Sequence, residues 1–354
     1  MKFKTYCAAN SGEGFISFFD TILNEKRSHI YYIKGGPGCG KSTLMTTIAN
    51  QASDAELIYC SGDPNSLDGV ILPKQNSVII DATNPHSFEP KYPGVGGNII
   101  DLGEGWDPNK LNDKKIIELC DQKSNLYQAC YHLLKSAADI HAGCFAPLYK
   151  QLDFEKMQKI GNKIMMQNAL WENQNRRAKI LKRFLSTISP DGMHTLSETI
   201  HMLGKNIILL EDRWMIAAPF LNYIERQLSK RGIDHINSYH PLLGKETLHH
   251  IIIPQADLSI ISKDGYFDFP IDEEQVIKKI NLQNMLDRSI LNSNKNKFTF
   301  IKRLQKEILN LATDKLKKAR TIHMQIEQEY AIGTDFKATE HLKDNLMTKL
   351  FSRT

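Results

Sequence analysis

Residues 35–42, GGPGCGKS, carry the densest chemistry in the chain. They satisfy the spacing G-x-x-x-x-G-K-[ST], with glycines at 35, 36, 38 and 40, then Lys41, Ser42 and Thr43. Phosphate oxygens can approach successive backbone N–H groups only where side chains do not intervene, and glycine also adopts backbone angles that other residues reach at a cost. A helix opening at Lys41 adds unpaired amides and the positive end of its dipole. The motif therefore predicts a triphosphate cradle made of Gly35, Gly36, Pro37, Gly38, Cys39, Gly40, Lys41, Ser42 and Thr43. Lys41 would meet the β- and γ-phosphates, Ser42 would ligate Mg²⁺, and Thr43 would reach the α-phosphate.

Such a loop needs a carboxylate from a neighbouring strand to hold the metal. NSVIID (76–81) ends in Asp81 and has the expected form. Asp63 and Asp68 in CSGDPNSLDG (60–69) compete for that role. No glutamate follows Asp81 to polarise water: the next residues are Ala82, Thr83, Asn84, Pro85 and His86. Another group would have to orient the water, with His86, Asp63 and Asn84 as candidates, or water is meant to be excluded. The segment 88–108, rich in Gly and Pro, has the composition of a lid, an acceptor site or a passive connection.

These groups must be held by elements. IYYIK (30–34) reads as a strand, KSTLMTTIANQA (41–52) as a helix, and ELIYC (56–60), GVILP (69–73) and NSVIID as further short apolar strands. Strands alternating with helices predict α/β architecture with a parallel sheet flanked by helices. Residues 110–180 change to helical spacing, with a second helix over about 153–180.

The order then recurs. KRFLSTISPDGM (182–193) aligns with KTYCAANSGEGF (4–15), NIILLE (206–211) with HIYYIK (29–34), and LHHIIIPQADLSIIS (248–262) with LDGVILPKQNSVIID (67–81). The expected organisation is an internal duplication. Residues 1–180 would form a P-loop NTPase domain, with an α/β core over 1–110 and a helical part over 110–180. Residues 181–354 would form a degenerate copy, with a core over 181–265 and a helical part over 266–354. The second copy of the loop, EDRWMIAAPF (211–220), has no glycine. Ala218 stands for the lysine and Pro219 for the hydroxyl, Trp214 and Met215 fill the phosphate space, and Ser262 replaces Asp81. Arg213 reads as structural rather than as an arginine finger. His240, His249 and His250 suggest a metal, but adjacent strand residues face opposite sides, which argues against the pair chelating together.

The chain has 354 residues, 41% hydrophobic and 24% charged, with a formal charge of +5. Residues 291–354 hold 13 Lys/Arg against 7 Asp/Glu, a basic helical tail that reads as a solvated face rather than a nucleic-acid surface. Six cysteines without a CxxC pair indicate reduced thiols and a cytoplasmic setting. No signal peptide and no membrane-spanning run is seen.

KGGPGCGKSTLM, YCSGDPNSLDGVILP, IIDATNPHSFEPKYPG and NIIDLGEGWD together resemble a family of tandem P-loop ATPases from spore-forming bacteria. The likeness is specific over residues 1–110 and architectural beyond. It implies ATP and Mg²⁺, with the phosphate loop at Gly35–Thr43, the metal aspartate at Asp81, and signature positions at Ser61, Asp63, Asp68 and His86. Family members often keep a glycine loop in the second half, and this chain does not. Three functions remain open at this point. One is an ATPase used as a conformational switch toward the second half or an unknown protein partner. The others are a kinase-like phosphotransferase and a nucleotide-stabilised scaffold.

Overall fold

The computed structural model describes the chain except residues 26–28, 84–86, 91–94, 96 and 352–354. Strand β1 (Lys2–Tyr6) precedes a hairpin of β2 (Ala8–Ser11) and β3 (Gly14–Ser17), then helix α1 (Phe19–Leu23), β4 (His29–Lys34) and α2 (Lys41–Gln51). β5 (Ala55–Tyr59), β6 (Leu67–Leu72), β7 (Ser77–Asp81), β8 (Asn98–Asp101), α3 (Asp113–Cys144) and α4 (Phe154–Gln167) follow. The order then repeats as β9 (Ile180–Arg183), β10 (Ser186–Ser189), β11 (Gly192–Thr195), α5 (Ser197–Leu203), β12 (Asn206–Glu211) and α6 (Ala218–Lys230). β13 (His235–Tyr239), β14 (Leu248–Ile253), β15 (Leu258–Lys263), β16 (Val276–Asn281), α7 (Arg288–Ile332) and α8 (Phe336–Phe351) complete it.

Two six-stranded sheets result, ordered β1-β5-β6-β7-β4-β8 and β9-β13-β14-β15-β12-β16, the same topology position by position. They share even an irregularity. The β5–β6 ladder shifts register at Ile58/Tyr59, leaving Asp68 out of step, and β13–β14 shifts at Ser238/Tyr239, leaving His249 out of step.

The sheets are mixed rather than parallel. β4 runs parallel to β7 and β8, and β12 to β15 and β16, but β6 is antiparallel to β5 and β7, as β14 is to β13 and β15. The reason lies in the connections. Parallel neighbours need a crossover of a dozen or more residues, whereas only residues 73–76 separate β6 from β7. Two further expectations shift. The second helix ends at Gln167 instead of near 180, because Ala169 and Asn175 take positive φ (53° and 51°) in an asparagine-rich stretch that favours turns. The second sheet also extends past 265, with β16 as its edge.

The units defined by packing do not coincide with the two repeats. One compact unit comprises Met1–Thr5, Phe19–Ala129 and Asp314–Thr354; the other comprises Tyr6–Phe18 and Cys130–Thr313. Core packing explains the first unit. Leu44, Met45, Ile48 and Ala49 of α2 pack with Ile33, Val70 and Ile79 of the sheet and with Leu346 and Leu350 of α8, all buried. The carboxy-terminal helix thus contributes apolar surface to the amino-terminal core. In the second unit, the amides and carbonyls of Tyr6 and Phe184, aligned residues of the two repeats, bond each other at 2.9 and 2.8 Å. No described helix is long and apolar enough to cross a membrane.

Candidate functional site

The glycine loop joins β4 directly to α2, as its spacing requires. Gly35, Gly38 and Gly40 have φ of 140°, 77° and 89°, a region that side chains disfavour. Space is also short. A Cβ on Gly36 would lie 2.7 Å from the Trp106 ring, and one on Gly38 would lie 3.0 Å from the Glu327 carbonyl oxygen. Cys39 turns inward and is fully buried in the core, anchoring the middle of the loop, and burial pushes its thiol up. Pro37 and Gly40 are half-buried, and Thr43 is exposed on the first turn of α2.

Lys41 bends back across the loop, donating to the carbonyls of Gly35 (2.7 Å) and Gly36 (2.9 Å), and stands 3.7 Å from Asp81 Oδ2. The parallel register sets that meeting by pairing Ile33, two residues before the loop, with Asp81. Asp81 also accepts from the Thr83 amide at 2.9 Å and from the Thr83 hydroxyl. Its carboxyl titrates above the ordinary range, chiefly through burial; Lys41 pulls it down and Asp68 pushes it up. Ser42 Oγ accepts from the Leu67 amide at 3.0 Å, which fixes the hydroxyl beside the start of β6, next to buried Asp68. Lys41, Ser42 and Asp81 are therefore gathered at one edge of the sheet, with Asp68 electrostatically coupled to them.

Asp63 serves its own turn, accepting from the Ser66 hydroxyl and the Asn65 amide. His86 and Asn84 lie outside the described residues. The 88–108 segment, of which 91–94 and 96 are likewise outside, is not all loop. Asn98–Asp101 forms β8 on the edge of the sheet, and Trp106 beyond it covers Gly36 together with Tyr330, the two rings 5.2 Å apart.

Sequence reasoning missed the groups that α3 and α7 bring to this edge. Glu327 accepts from the Gly38 amide and stands 3.7 Å from His323 Nε2. Lys123 Nζ approaches His323 Nδ1 at 3.4 Å. Burial and then Asp63 raise the Glu327 carboxyl; burial lowers Lys123; burial and then Lys123 drive His323 down to about 4. A signal existed. Lys123 occupies the apolar stripe of α3 between buried Leu119 and Cys130, where a hydrophobic residue is expected.

The equivalent loop of the second unit is built differently. Asp212 is buried and its carboxylate accepts from the amides of Ile216 (2.7 Å) and Ala217 (3.0 Å) and from the Ser262 hydroxyl (2.9 Å). Burial raises it to about 6. Ser262 pairs with Leu210 as Asp81 pairs with Ile33. Trp214 is buried against Phe145, 5.6 Å between ring centroids, and Met215 is buried beside it. Arg213 is exposed over the Trp214 ring.

No family model, curated protein or solved structure matches the chain.

Proposed function

We propose that the first unit binds a nucleoside triphosphate with Mg²⁺ and that the chain is a P-loop NTPase whose hydrolysis works as a conformational switch. One observation carries the reading: glycines that cannot accept a Cβ lead into a helix whose Lys41 faces Asp81 across parallel strands. The residues fit such a ligand. The Gly38 amide already serves an anion, the Glu327 carboxylate, so the loop presents donors outward. Lys41 would exchange its two carbonyl partners for phosphate oxygens, and Ser42 with Asp81 would hold Mg²⁺, which neutralises charge on the transferred group. No guanine-reading N-K-x-D occurs in the chain, which favours ATP. The resemblance to tandem P-loop ATPases points the same way, with the second half a pseudo-NTPase unit.

A phosphotransferase is the second reading, favoured by the residue after Asp81. It is Ala82, buried, so no carboxylate there activates water. One assay separates the readings: phosphate release from Mg·ATP, with and without added cell metabolites. Steady release supports the switch, and turnover only with a metabolite supports the transferase. Tight binding without turnover leaves a nucleotide-stabilised scaffold. Lys41→Ala should abolish binding in every case; normal ATP binding by that variant overturns the loop assignment.

A further inference from the structure

We infer that the second unit holds a divalent transition-metal ion, of the zinc or iron class, between His240, His249 and Asp264. The three side chains come from different elements. His240 follows β13, His249 sits at the irregularity in β14, and Asp264 follows β15. Their ligand atoms lie within 4.8 Å of one another. Asp264 Oδ2 is 3.2 Å from His240 Nε2 and 3.2 Å from His249 Nε2. Two ligands at 2.0–2.1 Å from a tetrahedral ion lie about 3.3–3.4 Å apart, so these separations match edges of a coordination polyhedron. Asp264 Oδ1 accepts from the Tyr266 amide at 2.8 Å, which aims Oδ2 at the two rings.

The irregularity explains why alternation along the strand misleads. The register shift turns His249 out of step, and its ring stacks on that of His250, centroids 3.8 Å apart, instead of pointing away. His250 is engaged elsewhere, with Ser186 Oγ and the Ser262 amide. His249 stands 3.2 Å from Asp264 Oδ2 but makes no hydrogen bond to it. It is 2% exposed, and neither ring nitrogen has a hydrogen-bond partner among the described residues. Leaving a buried polar atom unsatisfied is destabilising, and an ion at the centre removes that cost for Nε2.

Two imidazoles with one carboxylate select zinc, iron or cobalt over magnesium and calcium, which prefer oxygen alone. Position matters too. His249 aligns with Asp68 of the first unit, each skipped by the register shift, so a position that carries a carboxylate in one copy carries an imidazole in the other.

The test uses the full chain purified without chelator or metal-affinity resin. Elemental analysis should find about one transition-metal ion per chain. Protein produced with Co²⁺ should show visible d–d bands. Lys41→Ala should keep the ion, separating this site from any Mg²⁺ at the glycine loop, while Asp264→Asn and His249→Gln should lose it. Wild-type protein that holds no transition metal, shows no cobalt bands, and has a melting temperature unmoved by Zn²⁺ or chelator overturns the inference, whether or not the variants fold.

Discussion

Glu327 is the residue whose removal says most about the first unit. Its carboxylate accepts from the Gly38 amide, a donor that a phosphate would need, and its side chain lies beside His323. A hydrogen bond to a charged group contributes about 1.5–3 kcal/mol, so the carboxylate competes with the ligand on comparable terms. Glu327→Ala should therefore tighten nucleotide binding by roughly tenfold, read by calorimetry or a fluorescent nucleotide. Unchanged or weaker affinity would show that Glu327 supports the site instead of blocking it. His323 beside it gives a pH signature. Its folded value of about 4 lies below its ordinary 6.5, through burial and then the Lys123 charge. Between those values the unfolded chain binds a proton that the folded chain does not, so stability rises with pH across the window and is constant above it. The slope is up to about 1.4 kcal/mol per pH unit. The unfolding free energy of the wild type minus that of His323→Gln should fall on acidification from pH 6.5 to 4; a flat difference contradicts the buried, neutral imidazole.

At the scale of elements, α8 matters to the first unit more than its position in the chain suggests. Leu346 and Leu350 are 1% and 3% exposed, and they join α2 and the sheet in one core. Truncating a buried leucine removes transfer energy and leaves a cavity, at about 2–5 kcal/mol. Leu346→Ala should lower the denaturation midpoint accordingly and weaken nucleotide binding with it, because the same core anchors Cys39 of the loop. An effect below about 1 kcal/mol would mean that α8 is not part of that core. The sequence makes some of this legible. The strand–loop–helix over 29–51 is readable because motif and periodicity agree, and the repeat is readable because apolar runs recur in the same order around proline. The antiparallel β6 was legible too, since four residues cannot carry a parallel crossover, but short apolar runs alone do not state their direction. The assignment of α8 to the first core, and the approach of Lys123 and Glu327 to the loop, depend on long-range packing. A stripe on a helix announces burial without naming its partner.

At the scale of the whole molecule, two sheets of one topology differ at the same edge, and under the proposed function that difference predicts a stoichiometry. The first copy leaves loop amides and Lys41 facing a carboxylate at the end of β7. The second supplies its own anion. Asp212 takes the amides at the start of α6 and the hydroxyl of Ser262, while Trp214 and Met215 are packed into the core. A phosphate entering there would have to displace a buried carboxylate bonded three times, and the lysine beside that loop, Lys302, is already bonded to the carbonyls of Arg213 (2.9 Å) and Asp264 (2.6 Å). Calorimetric titration with Mg·ATP should therefore give one nucleotide per chain, and Lys41→Ala should give none. Asp212→Asn removes the anion without restoring glycine or lysine, so it should create no second site and should cost about 1–3 kcal/mol of stability through mismatched partners. Two equivalents bound by the wild type, or one retained by Lys41→Ala, would place the nucleotide in the copy that has exchanged its loop for an internal carboxylate, and the division of labour argued from the two edges would have to be reversed.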